Sequence, residues 1–281
     1  MSRIVVSGAT GTVGGAVLRA LLADGHEAVA AVRQPDAVAL SGDAEVVAFD
    51  FMDAATFRPA LEGADGLFLM RPPAISNTKR YINPVVEAAE DTDVQRVAFL
   101  SVLGAGRNPL LPHRATERRL EDSELDVALL RAAYFMQNFS EVHAREIAKG
   151  VLPVPAGDGK TSFIDARDVA DVAAAWLVDD TAGLDILELT GPEALDMFEV
   201  ARILSDVTGH RVDYRRPGLA QFVRSRIDAG DDTSFALVMG AIYSATRLGL
   251  ADRVTDTVET VLGRPPRSFR EFAQDYREAW A

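Results

Sequence analysis

The sequence contains no cysteine, which excludes disulfide bonds, thiolate nucleophiles and cysteine-ligated zinc. It has only four histidines, without the short spacing of metal ligands, so no metal site is expected. Basic residues are outnumbered: 29 lysines and arginines against 42 aspartates and glutamates give a net charge of −13 at pH 7. Such an acidic surface repels phosphate backbones and anionic lipids, so neither nucleic acid nor a membrane surface is expected as a partner.

Long apolar runs are also missing. The longest, at residues 235–243, is well short of the roughly 20 residues of a membrane span. No export signal precedes the first apolar run, so a cytoplasmic protein is expected. We interpret residues 235–243 as packed core, with a pocket wall or the subunit interface of a homodimer as the open alternatives.

Short apolar runs alternate with amphipathic stretches through the first half of the chain. This alternation predicts a parallel sheet with connecting helices, because apolar runs without polar alternation suit strands buried on both faces. The predicted strands cover residues 4–6, 28–32, 46–49, 66–70, 97–100 and 127–130. The predicted helices between them cover residues 13–24, 53–61, 79–91 and 113–123.

The pattern changes near residue 150. A helix is predicted over 135–149 with Gly150 at its end, followed by short strands near 162–164 and 211–214 and a seventh sheet strand at 186–189. The other predicted helices cover residues 169–178, 197–208, 218–228, 232–247, 256–262 and 268–280. The sequence therefore predicts an α/β fold: a doubly wound Rossmann domain over residues 1–155, rejoined by about 166–190, and a smaller, mostly helical substrate-binding part over 156–281.

A glycine-rich turn follows the first predicted strand and opens the first predicted helix. Gly8, Gly11 and Gly14 have the spacing Gly-x-x-Gly-x-x-Gly, a variant of the dinucleotide fingerprint. Gly8 would make the tight turn, Gly11 would let the backbone approach a pyrophosphate, and Gly14 would let the helix pack closely. The residues expected to bind the pyrophosphate, in part through amides at the helix N-terminus, are Gly8, Thr10, Gly11, Thr12, Val13 and Gly14.

Residues after the later strands indicate which dinucleotide is bound. Arg33 lies at the end of the second strand, where no acid is present, and a guanidinium suits a 2′-phosphate, so NADP(H) is the expected cofactor. A solvated surface arginine is the alternative. Asp50 is placed to accept the adenine amino proton and Phe51 to flank that ring, although a strand-end polar residue explains Asp50 equally well. Arg71 is placed over the cofactor ribose, with an exposed, stiff proline loop as the alternative.

These residues and several later segments resemble a known superfamily. The glycine turn, Arg33, Asp50-Phe51 and the strand end at Ser101 are similar to short-chain dehydrogenases/reductases. The segments that resemble the atypical NmrA-like branch of that superfamily are 130–131, 135–138, 163–170, 189–192, 255–257 and 263–266. The resemblance covers nearly the whole chain. It implies a Rossmann fold in a branch that includes NAD(P)H:quinone oxidoreductases, azoreductase-like enzymes and redox-sensing regulators.

The chain departs from the superfamily at its catalytic helix. Active members pair a tyrosine with a lysine four residues on, whereas this helix has His113 and Glu117 at that spacing, and Ser101 suits the position of the superfamily serine. Spacing by four places His113 and Glu117 on one helix face, where the carboxylate would favour a protonated imidazole. The predicted catalytic residues are therefore His113, Ser101 and Tyr134. A surface ion pair and a half-buried packing tyrosine are the alternatives.

The expected function is an NADPH-dependent oxidoreductase that passes a hydride to a small conjugated acceptor such as a quinone. A quinone needs little help from a protein acid, because its reduced oxygens hold charge and water can supply protons. Two other functions stay open. The missing Tyr-x-x-x-Lys pair also suits a non-catalytic NADP(H) sensor that binds a regulatory protein. A redox-neutral isomerase or lyase would use the bound cofactor without net turnover.

Overall fold

A seven-stranded parallel sheet is the largest element of the structure, a computed structural model that describes residues 1–37, 44–72, 74–109, 111–179 and 184–281. The strands are β1 Arg3–Ser7, β2 Glu27–Val32, β3 Glu45–Ala48, β4 Gly66–Met70, β5 Arg96–Val102, β6 Asp126–Ala132, β7 Val151–Pro153, β8 Leu184–Leu189 and β9 Asp213–Arg215. The large sheet has the order β3-β2-β1-β4-β5-β6-β8, and its direction of growth reverses between β1 and β4. Parallel sheets of this kind bind ligands at that reversal, beyond the carboxyl ends of the strands. The predicted doubly wound Rossmann fold is confirmed.

Helices connect the strands. They are α1 Thr12–Ala23, α2 Phe57–Leu61, α3 Thr78–Tyr81, α4 Asn83–Glu90, α5 Pro112–Glu121, α6 Gln137–Ser140, α7 Ala144–Ala148, α8 Ala166–Val178, α9 Met197–Thr208, α10 Leu219–Asp228, α11 Thr233–Arg247, α12 Thr257–Leu262 and α13 Phe269–Asp275. Short 3₁₀ turns cover Pro35–Ala37, Ala54–Thr56, Ala105–Arg107 and Arg277–Trp280. Among these helices of the described chain, none is long and apolar enough to cross a membrane.

The described chain divides into two compact units. The first contains residues 1–132, 166–189 and 257–263, and the second contains residues 133–165, 190–256 and 264–281. Residues 133–155 thus pack within the second unit, whereas they were predicted in the first domain. The assignment of cofactor binding to residues 1–155 and of substrate binding to residues 156–281 stays a prediction.

Helices cover both faces of the large sheet in the first unit. On one face, α8 packs against α1 and against strands β4, β5 and β6. On the other face, Phe57 and Leu61 of α2 and Val86 of α4 join Leu67 and Leu129 of the strands in one buried cluster. The strands are therefore enclosed on both sides, and for that reason they have continuous apolar runs instead of alternating patterns.

The helix predicted over 135–149 is wrong, because α6 and α7 are separate short helices. The side chains of Asn138 and Ser140 each donate to the backbone carbonyl three residues earlier. Such bonds compete with the helical hydrogen-bond ladder. The amide of His143 donates to the carbonyl of Asn138 at 3.0 Å, outside the regular helical pattern. Gly150 ends the segment with a φ of 77°, as expected of a terminal glycine.

The predicted strands after residue 150 have mixed outcomes. The seventh strand is present as β8, which pairs with β6, and the edge strand is present as β9, which pairs with β7. The strand predicted at 162–164 is wrong. Within the described ranges, Ile164 forms only an isolated bridge with Phe135, which is too short for a strand.

An aromatic core stabilises the second unit. The rings of Phe139, Phe163 and Phe269 pack with their centroids 5.1 to 5.7 Å apart, and all three are buried. Trp280 packs on Phe272 of the same cluster and donates its ring N–H to the carbonyl of Phe139 at 2.9 Å. The satisfied indole N–H lets a large aromatic side chain be buried near the end of the chain at little polar cost.

Candidate functional site

The glycine turn after β1 is built for close backbone approach. Gly8 has a φ of 66°, in the left-handed region that favours glycine, and its carbonyl accepts from the amide of Gly11 at 2.9 Å. A Cβ on Gly14 would lie 2.3 Å from the Gly8 carbonyl oxygen, and one on Gly8 would lie 2.2 Å from Sδ of Met70. No other amino acid fits at Gly14 without moving backbone, so the turn has the shape that the dinucleotide fingerprint requires.

Helix α1 begins directly after this turn. Within the described chain, its first turn has neither a side-chain cap nor an acidic residue. Thr10, Gly11 and Thr12 are exposed, whereas Val13 and Gly14 are buried. An uncapped helix N-terminus that faces solvent favours an anionic group, since its amides carry partial positive charge. These residues fit a dinucleotide pyrophosphate, and their assignment to it stays a prediction.

Arg33 follows β2 and is exposed. It makes no hydrogen bond or ion pair within the described ranges, so its guanidinium is available for a ligand anion. Asp50 and Phe51 follow β3 and are half-buried. Oδ1 of Asp50 accepts from the amide of Met52 at 2.9 Å, and the ring of Phe51 packs edge-on against Phe49 with centroids 5.0 Å apart. Their predicted roles at the 2′-phosphate and the adenine are not settled by these contacts and stay predictions.

Arg71 and His113 form a contact beyond the carboxyl end of β4. Nε of Arg71 donates to Nε2 of His113 at 3.4 Å, and Nη1 of Arg71 donates to the carbonyls of Pro72 at 3.1 Å and Ile75 at 2.6 Å. Arg71 is thus tied down instead of lying on a fully exposed loop, and Pro73 of that loop lies outside the described residues. Burial lowers the pKa of the Arg71 guanidinium.

His113 is a neutral imidazole near pH 7. Burial and the neighbouring charge of Arg71 lower its pKa to about 4, and the opposing effect of Glu117 is too small to reverse this. Because Nε2 accepts from Arg71, Nδ1 carries the proton, and this buried atom has no hydrogen-bond partner in the described part of the chain. The expected protonated imidazole paired with Glu117 is therefore wrong, because burial, together with the charge of Arg71, outweighs the effect of the carboxylate.

Glu117 is instead the centre of a buried ion-pair cluster, which we define as Ser101, Arg114, Glu117 and Arg131. Its carboxylate has no solvent exposure and accepts from Nε and Nη2 of Arg131 at 2.9 and 2.8 Å. It also accepts from Oγ of Ser101 at 2.7 Å and from Nη1 of Arg114 at 3.1 Å. Burial alone would raise the pKa of Glu117, but these hydrogen bonds outweigh it and lower the pKa. The alternative of an ordinary surface pair with His113 is therefore also wrong.

The cluster changes what Ser101 can offer a ligand. Its hydroxyl hydrogen is committed to Glu117, so only its lone pairs remain for another donor. Arg131 was not predicted as a site residue. The available signal was a basic residue at the end of a strand that is otherwise apolar. Gly106 leaves room for the guanidinium of Arg131, because a Cβ at position 106 would lie 2.7 Å from Nη1 of Arg131.

Tyr134 lies in the second unit and is half-buried. Its hydroxyl lies 2.8 Å from the hydroxyl of Tyr243, which in turn lies 2.6 Å from Nε2 of His143. Burial raises the pKa of both tyrosines, whereas burial and the charge of Arg226 lower the pKa of His143 to about 3. Tyr243 and His143 were not predicted as site residues. Tyr243 lies 109 residues after Tyr134 and His143 lies 9 residues after it, and no helical or strand periodicity links the three.

The predicted cofactor residues all follow carboxyl ends of parallel strands in the first unit. The glycine turn follows β1, Arg33 follows β2, Asp50 and Phe51 follow β3, and Arg71 follows β4. Ser101 lies near the end of β5, and His113 opens α5 after it. A single sheet edge thus gathers these candidates, in agreement with the rule that such edges bind ligands.

Comparison with known proteins places this arrangement in a family. The model of the NmrA-like family matches residues 1–250. An uncharacterized oxidoreductase, YesF of Bacillus subtilis, is 34% identical over 279 residues, which cover 99% of this chain and 96% of that protein.

Two solved structures are similar over nearly the full length. An NADPH-dependent quinone oxidoreductase from Escherichia coli, solved with NADPH, is 27% identical with a TM-score of 0.87 and covers 97% of this chain and 99% of its own. A triphenylmethane reductase from Citrobacter sp., solved with NADP(H), is 26% identical with a TM-score of 0.86 and the same coverage.

These comparisons confirm the predicted enzyme class, an NAD(P)H-dependent reductase, and NADP(H) as the predicted cofactor. They also confirm the resemblance drawn from the sequence motifs. With a family model that matches most of its length and a relative 34% identical over nearly all of it, this chain belongs to the NmrA-like family.

Proposed function

We propose that this reductase transfers a hydride from NADPH to a small conjugated electron acceptor such as a quinone. NADPH, when bound, supplies the hydride. The amides of the glycine turn and of the start of α1 hold its pyrophosphate, and Arg33 pairs with its 2′-phosphate. The guanidinium of Arg33 is exposed and has no partner among the described residues, and no acidic residue stands at the end of β2. Both observations support a preference for NADPH over NADH.

The protonation state of His113 is the observation that supports a conjugated electron acceptor. A simple ketone needs a positioned acid, because its reduction leaves an alkoxide of high basicity. In the first unit His113 is neutral with a pKa of about 4, and the hydroxyl hydrogen of Ser101 is bound to Glu117. The tyrosine of the Tyr-x-x-x-Lys pair is missing as well, since position 113 is histidine. A quinone tolerates this, since its conjugated system delocalises the charge that the hydride brings.

The test is NADPH oxidation with matched acceptors. We expect p-benzoquinone to be reduced at least about 100-fold faster than cyclohexanone, which has the same ring size without conjugation. NADH in place of NADPH should raise the apparent KM for the cofactor. Equal rates with both acceptors would contradict the proposed substrate class. NADPH binding without turnover of any quinone would favour a non-catalytic sensor instead.

Three further expectations belong to the same proposal. The second unit binds the electron acceptor, the chain forms a homodimer, and its location is cytoplasmic. The order of binding and the mass in solution test the first two, and fractionation of cells tests the third. All three stay predictions.

A further inference from the structure

Helix α11 is apolar on two faces, and the second unit covers only one of them. On the covered face Ala236, Met239 and Tyr243 are buried, and Met239 and Tyr243 belong to the core of the second unit. Gly240 lies against α10, because a Cβ there would lie 2.8 Å from Cδ1 of Leu219. These contacts fix one side of α11 within its unit.

The opposite face of α11 is apolar and exposed. Leu237 and Val238 are each 56% exposed, and Leu248, directly after the helix, is 73% exposed. The amide of Leu248 donates to the carbonyl four residues earlier at 3.1 Å, so the helical spacing extends to it. Residues three, four and seven apart share a helix face. We call this face the outer stripe and define it as Ser234, Leu237, Val238, Ala241, Ser244, Ala245 and Leu248. A helix that is apolar on all sides normally lies within protein, so the outer stripe is expected to be covered by a partner.

The outer stripe carries no charge, although the chain is strongly acidic. Residues 233–246 include no aspartate, glutamate, lysine or arginine, whereas the whole chain has a net charge of −13. Two copies of such a chain repel each other, so contact between them needs a surface without negative charge. The outer stripe meets that condition and is therefore suited to a second copy of this chain.

The charges at the two ends of α11 favour an antiparallel arrangement. The side chain of Asp232 caps the helix by accepting from the amide of Ser234 at 2.8 Å, and Arg247 is the last helical residue. Both Asp232 and Arg247 are exposed. In an antiparallel pair, the acidic end of each helix lies at the end of the other helix that has Arg247, and the helix dipoles oppose each other. A parallel pair would bring like ends together.

The sizes of the side chains in the outer stripe match across a two-fold axis at Ala241. Around such an axis, the half of the stripe before Ala241 faces the half after it in the other copy. The large side chains of Leu237 and Val238 then lie against the small side chains of Ser244 and Ala245. Ala241 meets its own counterpart, and its small side chain lets the two helices approach closely.

We propose that the outer stripe is the interface of a homodimer, in which two antiparallel copies of α11 pack about a two-fold axis at Ala241. This inference rests on the homodimer that the proposed function includes, and it names the surface that forms it. The stripe is about 22 Å long, at 1.5 Å for each residue of the helix. It is smaller than the roughly 800 Å² per partner of a standard interface, so the dimer should dissociate at micromolar concentrations.

Sedimentation velocity of the intact protein tests the interface, over concentrations from about 0.1 to about 100 μM. We expect the mass of the parent to rise from monomer to dimer across this range. Ala241→Glu should raise the dissociation constant by about 100-fold or more, because two carboxylates would meet at the axis. Ala220→Glu is the matched control, since Ala220 is also an exposed alanine of a helix in the second unit but lies on α10, outside the stripe. Its dissociation constant should equal that of the parent.

Two further measurements test the position of the axis. An equimolar mixture of Ala241→Glu and Ala241→Lys should form a mixed dimer, because a carboxylate then meets an ammonium, whereas each variant alone should stay monomeric. Since the chain contains no cysteine, Ala241→Cys introduces a single thiol. Oxidation by copper–phenanthroline should join two copies through a disulfide, because a residue on the axis lies close to its own counterpart. Ala220→Cys should stay monomeric under the same oxidation.

A dimer that persists in Ala241→Glu, with no disulfide in Ala241→Cys, overturns the inference and assigns the dimer to another surface. A parent that stays monomeric at every concentration overturns both the inference and the expected homodimer. Thermal unfolding identifies an Ala241→Glu variant that fails to fold, in which case the disulfide of Ala241→Cys decides. Oxidation of NADPH with p-benzoquinone, measured on the same samples, tests the proposed hydride transfer separately, because the mass in solution does not depend on turnover.

Discussion

Replacing Glu117 by glutamine should destabilise the first unit strongly. The substitution keeps the volume of the side chain but removes the negative charge from the centre of the buried ion-pair cluster. Arg131, which is 8% exposed, would then keep a buried guanidinium with no carboxylate to receive Nε and Nη2. The carbonyl oxygen of the glutamine can accept one of these hydrogen bonds. Its NH₂ group can only donate, and it would face an N–H donor of Arg131.

The magnitude follows from the burial of both partners. Removing one partner of a buried ion pair costs about 3 to 5 kcal/mol, because the other charge stays desolvated. Ser101 and Arg114 lose an ionic acceptor as well, so we expect the upper part of that range. For a chain of this size the corresponding fall in Tm is roughly 10 °C.

Glu121→Gln is the matched control for this measurement. Glu121 lies on the same helix and accepts from the same Arg114 at 2.6 Å, but its side chain is 23% exposed. A partly exposed pair contributes about 1 kcal/mol or less, so Glu121→Gln should lower Tm much less than Glu117→Gln. Urea unfolding at pH 7 followed by circular dichroism compares the two variants with the parent. Equal losses in both variants would show that burial does not decide the effect and would refute the reasoning.

The same variant has a defined pH dependence. The pKa of Glu117 is lower in the folded chain than in the unfolded one. The stability it provides is therefore fully present above about pH 4.3, the unfolded value, and is lost as the pH falls through the folded pKa. The gap in unfolding free energy between the parent and Glu117→Gln should narrow on acidification. A constant gap from neutral pH to pH 3 would contradict the assignment of a charged Glu117.

Three further predictions concern the cofactor and His113. Arg33→Ala should weaken NADPH binding by about 10-fold or more and leave NADH binding unchanged, as measured by fluorescence titration, because only NADPH has the 2′-phosphate; equal weakening of both would refute that assignment. Since the pKa of His113 is about 4, the pH profile of kcat should show no limb near 6.5, and such a limb in the parent that disappears in His113→Ala would contradict a neutral imidazole. Gly14→Ala should abolish NADPH binding, because its Cβ would lie 2.3 Å from the Gly8 carbonyl oxygen; Gly218→Ala, where a Cβ meets nothing within 4 Å, is the control.

The large sheet could be predicted from sequence because its signals are local. Each strand is a short apolar run enclosed on both faces, and each is followed by a turn or a helix with its own pattern. The glycine turn is local as well: the clash of a Cβ on Gly14 with Gly8 involves residues six apart. The position of Arg33 directly after β2 follows from counting residues along the chain from the glycine turn.

The partners of Glu117 could not be predicted in this way. Helical spacing pointed to His113, four residues earlier, whereas the bonds go to Arg131 and Ser101, 14 and 16 residues away on neighbouring strands. Ser101 and Arg131 are brought side by side by the register of β5 and β6. That register is set by packing and not by a local sequence pattern. The break between α6 and α7 was missed for a related reason, because side-chain bonds to the backbone leave the apolar pattern unchanged.

The buried ion-pair cluster also explains why the first unit lacks the tyrosine–lysine pair of the wider superfamily. A lysine at position 117 would place an ammonium with no solvent exposure against the guanidinium groups of Arg131 and Arg114, and these three like charges would repel. The carboxylate of Glu117 and the guanidinium of Arg131 therefore depend on each other, because replacing either one alone would leave the other as a buried, unpaired charge. Because Glu117 of that helix is committed to Ser101 of β5 and to Arg131 of β6, it does not replace the missing tyrosine as an acid. This agrees with the proposed quinone acceptor, whose reduced oxygens can take protons from water.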